Sequence, residues 1–399
     1  MRKVHDFPQR SKKNAATFLG YLLLTVLGLA ATIATFNYLV NPYRLYFPNS
    51  PATVTDKKPR PEQLQQEIRT ALALRSNADT FVFGNSMMEI GVNPQSEVFV
   101  SQGITVFNMG IAGFTLGEST GGFLSVLDRK VPKHAVIAAS FADYLMQGPA
   151  VKPVTVATKE RSFFDLGRLT ALSLLGGEAT LDSLKTLTIN RRAYPQTITA
   201  YGHNPMIDYA GHASRSGYRV IFETANLRIH ETLRKHQAVS YSAATGPAKA
   251  IEELRSLVTL LQSRGSQVTV VINPLHVDYT ASLRKFGLMP TYEAWKRDLA
   301  VLSGQSNVPV VDFGCEGKLL VESIPLAGDH KTPMQGYWDA QHFKPRIGNA
   351  MVDIVLKSNL MEYSQGHLVG KLLKSDSINL HNERCALFFD SVKNTLKAN

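Results

Sequence analysis

Residues Ala15 to Val40 run for 26 positions without a charged side chain and are rich in Leu, Ala and Thr. A helix needs roughly 20 apolar residues to cross a bilayer, so this stretch predicts a transmembrane anchor. The 14 residues before it carry Arg2, Lys3, Arg10, Lys12 and Lys13 against Asp6 alone. Basic flanks stay on the cytoplasmic side, which predicts a cytoplasmic basic tail (1–14), a single-pass anchor (15–40) in an inner membrane and a body outside it. The rival is a cleaved signal sequence with Ala31 to Ala34 as its small-residue site, although the apolar run is long for one. No other stretch reaches membrane-spanning length, which argues against a transporter.

The remaining chain is long enough for two domains of about 150 residues, or for one domain with a large insertion. Its composition, 44% hydrophobic and 19% charged over 399 residues, is that of a folded protein with a core. The formal charge of +11, of which the basic tail carries +4, is spread out. Without a Lys/Arg block or an aromatic-basic motif, nucleic acid is not expected as a partner. The excess either steers anionic glycans or headgroups or is simply a solvated surface. Cys315 and Cys385 could pair in an exported protein, but a separation of 70 positions leaves that open. No Cys/His spacing suggests zinc, and no metal or cofactor is expected.

Five short apolar runs, Thr80–Phe83, Ile104–Asn108, Ala135–Ala139, Gln267–Ile272 and Val308–Phe313, read as strands. Helical patterns precede or separate them at Gln63–Arg75, Leu116–Leu127 and Ala248–Gln262. Alternation of this kind implies right-handed crossovers and a parallel sheet covered on both faces. The expected fold is α/β: a three-layer α/β/α sandwich on a five-stranded parallel flavodoxin-like sheet. A linker and helix (41–77) lead into a domain formed by 78–144 and 241–360. Residues 145–240 are too long for one crossover and predict a largely helical insertion, with helices at Leu166–Leu175, Ala179–Leu187 and Val220–His236. It is a possible cap, because long insertions after strand ends tend to cover the ligand crevice. The tail, 361–399, reads as a helical appendage.

Ser86 follows the first strand by three positions, where open α/β sheets place reactive groups, and Gly84 permits a sharp turn. The plainer reading is a helix N-cap. Far downstream stands Tyr337-Trp-Asp-Ala-Gln-His-Phe343, whose Asp339 and His342 are spaced i, i+3. A serine hydroxyl needs an adjacent base. His342 can supply it and Asp339 can orient the imidazole, unless Asp339 merely caps a helix.

Gly84-Asn85-Ser86, Asn108-Met-Gly-Ile-Ala-Gly113 and Asp339-Ala-Gln-His342 together resemble the nucleophile, glycine and base blocks of the SGNH (GDSL-like) hydrolase superfamily. More narrowly they resemble its membrane-anchored, exported branch that includes alginate O-acetyltransferase-like proteins of the bacterial envelope. The resemblance covers residues 78–144 and 248–356. It implies a Ser86–His342–Asp339 triad and an oxyanion hole from the Ser86 and Gly113 N–H groups. The family's third donor, an asparagine in Gly-x-Asn-Asp, is missing, since this chain has Ser140-Phe-Ala-Asp143 with Ala142 in its place. Asn85, Asn273 and His276 are candidate substitutes, though turn chemistry and crevice lining explain them as well. Trp338 and Tyr337 could stack on a sugar or pack in the core, and Trp295 is expected to pack. The implied activity is serine esterase or O-acetyltransferase chemistry on an envelope or extracellular polysaccharide, in the periplasm. Its partners would be an acyl-ester donor, a glycan acceptor and a membrane acyl-transfer protein. The alternative is a non-catalytic carbohydrate-binding or assembly subunit of an envelope machine.

Overall fold

The computed structural model describes residues 9–47, 56–124, 127, 129–150, 166–236, 247–357, 363–365 and 368–396. The chain divides into two units, residues 1–63 with 165–192, and residues 64–164 with 193–399.

The first unit is helical. Helix α1 (Gln9–Val40) is long and apolar enough to cross a membrane. Beyond it, Asn41, Tyr43 and Leu45 are buried, so the start of the expected linker is packed. The unit takes its other helices from the first half of the insertion, and these pack against α1.

The second unit is a mixed α/β fold. In chain order it runs α2 (Gln65–Arg75), β1 (Thr80–Phe83), α3 (Ser86–Gly91), α4 (Glu97–Val100), β2 (Val106–Asn108), α5 (Leu116–Leu124), β3 (His134–Ala139) and α6 (Phe141–Met146). The intervening helices α7 (Leu166–Leu175) and α8 (Gly177–Ile189) belong to the first unit. There follow α9 (Ile207–Lys235), α10 (Lys249–Ser263), β4 (Gln267–Ile272), α11 (Val277–Lys285), α12 (Met289–Ser306), β5 (Val310–Asp312) and α13 (Pro345–Lys357). A hairpin of β6 (Tyr363–Gln365) and β7 (Leu368–Leu372), then α14 (Ile378–Leu396), ends the described chain.

Strands β2-β1-β3-β4-β5 pair parallel in that order, and β7 adds antiparallel to β5 with β6 outside it. The central strands are continuous apolar runs because they are covered on both faces: every residue of β1 is buried. Phe81, Phe83, Phe107 and Phe123 meet in one aromatic cluster. α10 buries Ile251, Leu254, Leu257, Val258 and Leu261, the i, i+3, i+7 stripe of an amphipathic helix.

Several boundaries differ from the expectations. β2 and β5 begin two residues later than the apolar runs, at Val106 and Val310. α9 is two helical segments that meet at a break at Gly217 (φ 75°); the expected helix at Val220–His236 falls in the second, and the first, from Ile207, is additional. The tail is not wholly helical. Leu368–Leu372 is β-paired because β5 offers it an open edge, a tertiary opportunity that its short run of sequence does not announce. Cys315 and Cys385 are bonded, tying the loop after β5 to α14.

Candidate active site

β1 ends in a turn that only glycine fits. A Cβ on Gly84 would stand 2.6 Å from Met88 Cγ and 3.1 Å from Ala138 Cβ. Asn85 caps the short helix α3, its Oδ1 accepting the Met87 N–H at 3.1 Å. Ser86 is therefore the first helical residue, partly exposed, at the C-terminal end of β1.

The facing loop is closed by its own hydrogen bonds. The Trp338 N–H donates to His342 O (2.8 Å), the Lys344 N–H to Gly336 O (2.6 Å), and the His276 N–H to Ala340 O (3.1 Å). Asp339 is buried, and its Oδ1 accepts the N–H groups of Gln341 and His342 at 2.9 Å each. Its Oδ2 lies 2.8 Å from His342 Nδ1, and His342 Nε2 lies 2.9 Å from Ser86 Oγ. With Nδ1–H donated to the carboxylate, Nε2 carries a lone pair toward the Ser86 hydroxyl; this tautomer follows from the partners. The structure thus brings Ser86, His342 and Asp339 together in one line. The His342 side chain is 23% exposed.

Burial works against an imidazolium at His342, but the charge of Asp339 and its hydrogen bond, with a contribution from Glu89, raise its pKa above the ordinary value. Burial alone would raise Asp339; His342 and the two backbone N–H groups outweigh it and hold the carboxyl below its usual range.

A buried network behind Ser86 was not recognised from the sequence. Glu89, one helical turn on, is wholly buried and pairs with Arg69 of α2 at 3.3 Å. Its Oε2 also accepts the Ala112 N–H of the glycine loop at 2.9 Å. Asn108 Nδ2 donates to Met88 O (2.6 Å) and Val92 O (2.8 Å), while its Oδ1 accepts the Gly110 N–H (2.9 Å). A Cβ on Gly110 would approach Glu89 N to 2.7 Å. The signal available was Glu89 itself, an acid in the apolar run Met87-Met-Glu-Ile90. This network holds the glycine loop against α3. Gly113 (φ 85°) closes that loop with open space where a Cβ would stand. The Ser86 and Gly113 amides have no acceptor among the described residues.

The other candidates are engaged elsewhere. Asn85 Nδ2 donates to Ser140 Oγ (3.3 Å), the residue that caps α6. His276 is buried, caps α11 through Nδ1 and has Nε2 2.7 Å from Glu322 O; burial lowers its pKa. Asn273 is buried with Nδ2 3.6 Å from the sulfur of Met87, while its Oδ1 has no hydrogen-bond partner among the described residues. The Trp338 ring stacks with Tyr218 of α9, and Lys344 Nζ lies 4.1 Å from its centre, so that face is already covered. Tyr337 is wholly buried and donates to Pro274 O. Trp295 packs on Phe141 and Tyr292. Tyr209, also on α9, stands edge-on to Trp338, and burial with the charge of Asp339 raises its pKa. The second half of the insertion therefore borders the base loop.

One cluster among the described residues has metal-ligating atoms, Asp312, Cys315, His381 and Cys385. Its sulfurs are bonded to each other, and the Lys296 ammonium sits 2.6 Å from Asp312, which makes a cation site unfavourable as built.

No family model, curated protein or solved structure matches this chain.

Proposed function

We propose that the chain is an SGNH-like serine esterase or O-acyl (acetyl) transferase acting outside the inner membrane on an envelope or extracellular polysaccharide. The observation that carries this reading is the continuous line from Ser86 Oγ through His342 to the buried Asp339. In the proposed reaction Ser86 attacks the acyl carbonyl as His342 Nε2 takes its proton. The leaving alcohol then departs with that proton, and Asp339 stabilises the transient imidazolium. Water in an esterase, or a glycan hydroxyl in a transferase, releases the acyl group with His342 again as base.

The Ser86 and Gly113 amides are the proposed oxyanion donors. Ala142 leaves the third place empty, and one such donor typically contributes about 10²–10³ in rate, so slow turnover is expected unless substrate supplies the contact. The parallel strand order supports a flavodoxin-like α/β/α reading, in which ligands sit beyond the strand ends where the order reverses, between β1 and β3. Ser86 stands at that place.

The test is labelling of the full chain by a fluorophosphonate probe, beside Ser86→Ala and His342→Ala. Labelling lost in both variants supports a working nucleophile and base. A folded wild-type protein that neither takes label nor hydrolyses a small ester would instead favour a carbohydrate-binding or assembly subunit, the reading that Ala142 keeps in play. An enzyme that hydrolyses esters yet acylates no oligosaccharide offered to it would remove the transfer branch.

A further inference from the structure

Helices α7 and α8 bury Leu169, Ala179 and Ile189, but beside them they also bury polar side chains while leaving several leucines outside, a poor arrangement for a hairpin in water. The buried side chains of α8 include Asp182, Ser183 and Thr186. Its outward side chains include Leu181 and Leu184, 52% and 50% exposed, and Leu175 at the end of α7 is 53% exposed. The buried polar groups meet α1 and the residues after it. Asn37, wholly buried, donates from Nδ2 to Leu174 O (2.8 Å) and Thr180 Oγ1 (3.0 Å), and its Oδ1 accepts from Ser183 Oγ (2.8 Å). Tyr43 Oη donates to Asp182 Oδ2 at 3.0 Å. A water-facing hairpin turns leucines inward and hydroxyls outward. Helices facing lipid associate through small residues and interhelical hydrogen bonds, and leave leucines outside.

The level at which this hairpin sits follows from α1. Its apolar part, Asn14–Val40, is 27 residues long, about 40 Å at helical rise and so about 10 Å longer than a hydrocarbon core. Lys12 and Lys13 mark one boundary. At the other end Tyr38 packs with Tyr46 and Phe47, ring centres 5.0 and 5.4 Å apart, the residue types that gather at a membrane interface. Asn37, which binds the hairpin, adjoins this aromatic group. Of the charges on the hairpin, Asp182 is buried, Lys185 pairs with Asp182 and Glu62 at 3.2 Å each, and Arg168 and Glu178 lie on the exposed side, where headgroups can meet them.

We propose that α7–α8 is a second membrane-contacting element, seated beside the anchor at the boundary of headgroups and acyl chains, with Leu175, Leu181 and Leu184 against lipid. Residues more than 120 positions downstream of the anchor thereby brace the helix where it leaves the bilayer. This inference is independent of any chemistry at Ser86.

The test uses the full chain in lipid vesicles, with Leu175→Cys, Leu181→Cys and Leu184→Cys each labelled with bimane and a Leu39→Cys label as reference. The expected result is quenching by headgroup-level nitroxide lipid as strong as at the reference, with little quenching by aqueous iodide. Strong iodide quenching without lipid quenching would overturn the proposal. So would disulfide cross-linking between copies at Leu181→Cys without lipid quenching, which would make a second copy the occupant. Hydroxyl-radical footprinting of the unlabelled wild type in nanodiscs guards against misfolded variants. Leu181 and Leu184 should be oxidised no more than Leu39, and oxidation at the level of Leu227, an exposed leucine of α9 (72%), would count against the proposal.

Discussion

The second unit contains an aspartate–histidine contact of 2.8 Å twice. In one, His342 meets Asp339; in the other, His381 of α14 meets Asp312 at the end of β5. Both aspartates are buried and both lie beyond or at the C-terminal ends of parallel strands. They differ in what else touches them. Asp312 already has the Lys296 ammonium at 2.6 Å, and the ring of His381 is hemmed in by the Cys315–Cys385 disulfide, with Cys385 Sγ 3.4 Å from the same nitrogen that meets Asp312. Burial would raise the Asp312 carboxyl, but Lys296 first and His381 second overcome it and hold the carboxyl far below its usual range. Asp339 has no ammonium partner among the described residues; its charge is answered by His342 and two N–H groups, and the far nitrogen of His342 reaches a serine. An aspartate–histidine pair can relay a proton only where the carboxylate is not already neutralised and the second nitrogen faces a nucleophile. Elsewhere it is a brace.

The sharpest way to break this comparison is by substitution at the two histidines. On the proposed esterase reading, His342→Ala and Ser86→Ala should each reduce turnover by about 10⁴-fold or more, whereas His381→Ala should leave turnover per folded molecule unchanged. A large kinetic loss at His381 would sink the distinction. Stability should respond in the opposite sense. Lys296→Met leaves the buried Asp312 carboxylate with His381 alone to answer its charge and should destabilise by about 3 kcal/mol, seen as a lower urea midpoint with unaltered fluorophosphonate labelling rate at low denaturant. Joint replacement Cys315→Ser and Cys385→Ser opens a 70-residue loop and should cost about 2–4 kcal/mol, again without a kinetic change.

The smallest effect is a pH displacement. His342 must be neutral to accept a proton, and its pKa is raised, so kcat/KM should climb with pH and level off only above the ordinary histidine range near 6.5. Below that point activity is lost as the imidazole protonates. Asp339→Asn removes the charge that raises the pKa and should shift the limb to lower pH while reducing the plateau. A limb that stays put in that variant would mean that Asp339 is not the group acting on His342.

Much of this arrangement was legible before any coordinates. Five parallel strands, the glycine turn before Ser86 and the Asp-x-x-His spacing are local patterns, and local patterns survive in one dimension. Arg69 and Glu89 were not legible, because an ion pair between two separate helices, 20 residues apart, leaves no periodic trace. Nor were the roles of His276 and Asn85. Each residue type permits either catalysis or capping, and the choice depends on Glu322 and Ser140, distant in sequence. The insertion misled for a related reason. Its helices were readable, but half of it packs with the anchor and half borders the base loop, and helix propensity carries no information about which surface a helix will meet.

By itself the sequence determined the anchor-length helix, the parallel α/β order and the serine and histidine placed at strand and loop ends, since these rest on hydrophobic periodicity and backbone chemistry. Only the tertiary structure decided that Ser86 Oγ and His342 Nε2, 256 positions apart, stand 2.9 Å from each other, and that Asp312 is neutralised where Asp339 is not. Electrostatic character depends on separations of a few ångströms in a medium that burial makes poorly screening, and those separations exist only once the sheet has brought its strand ends together.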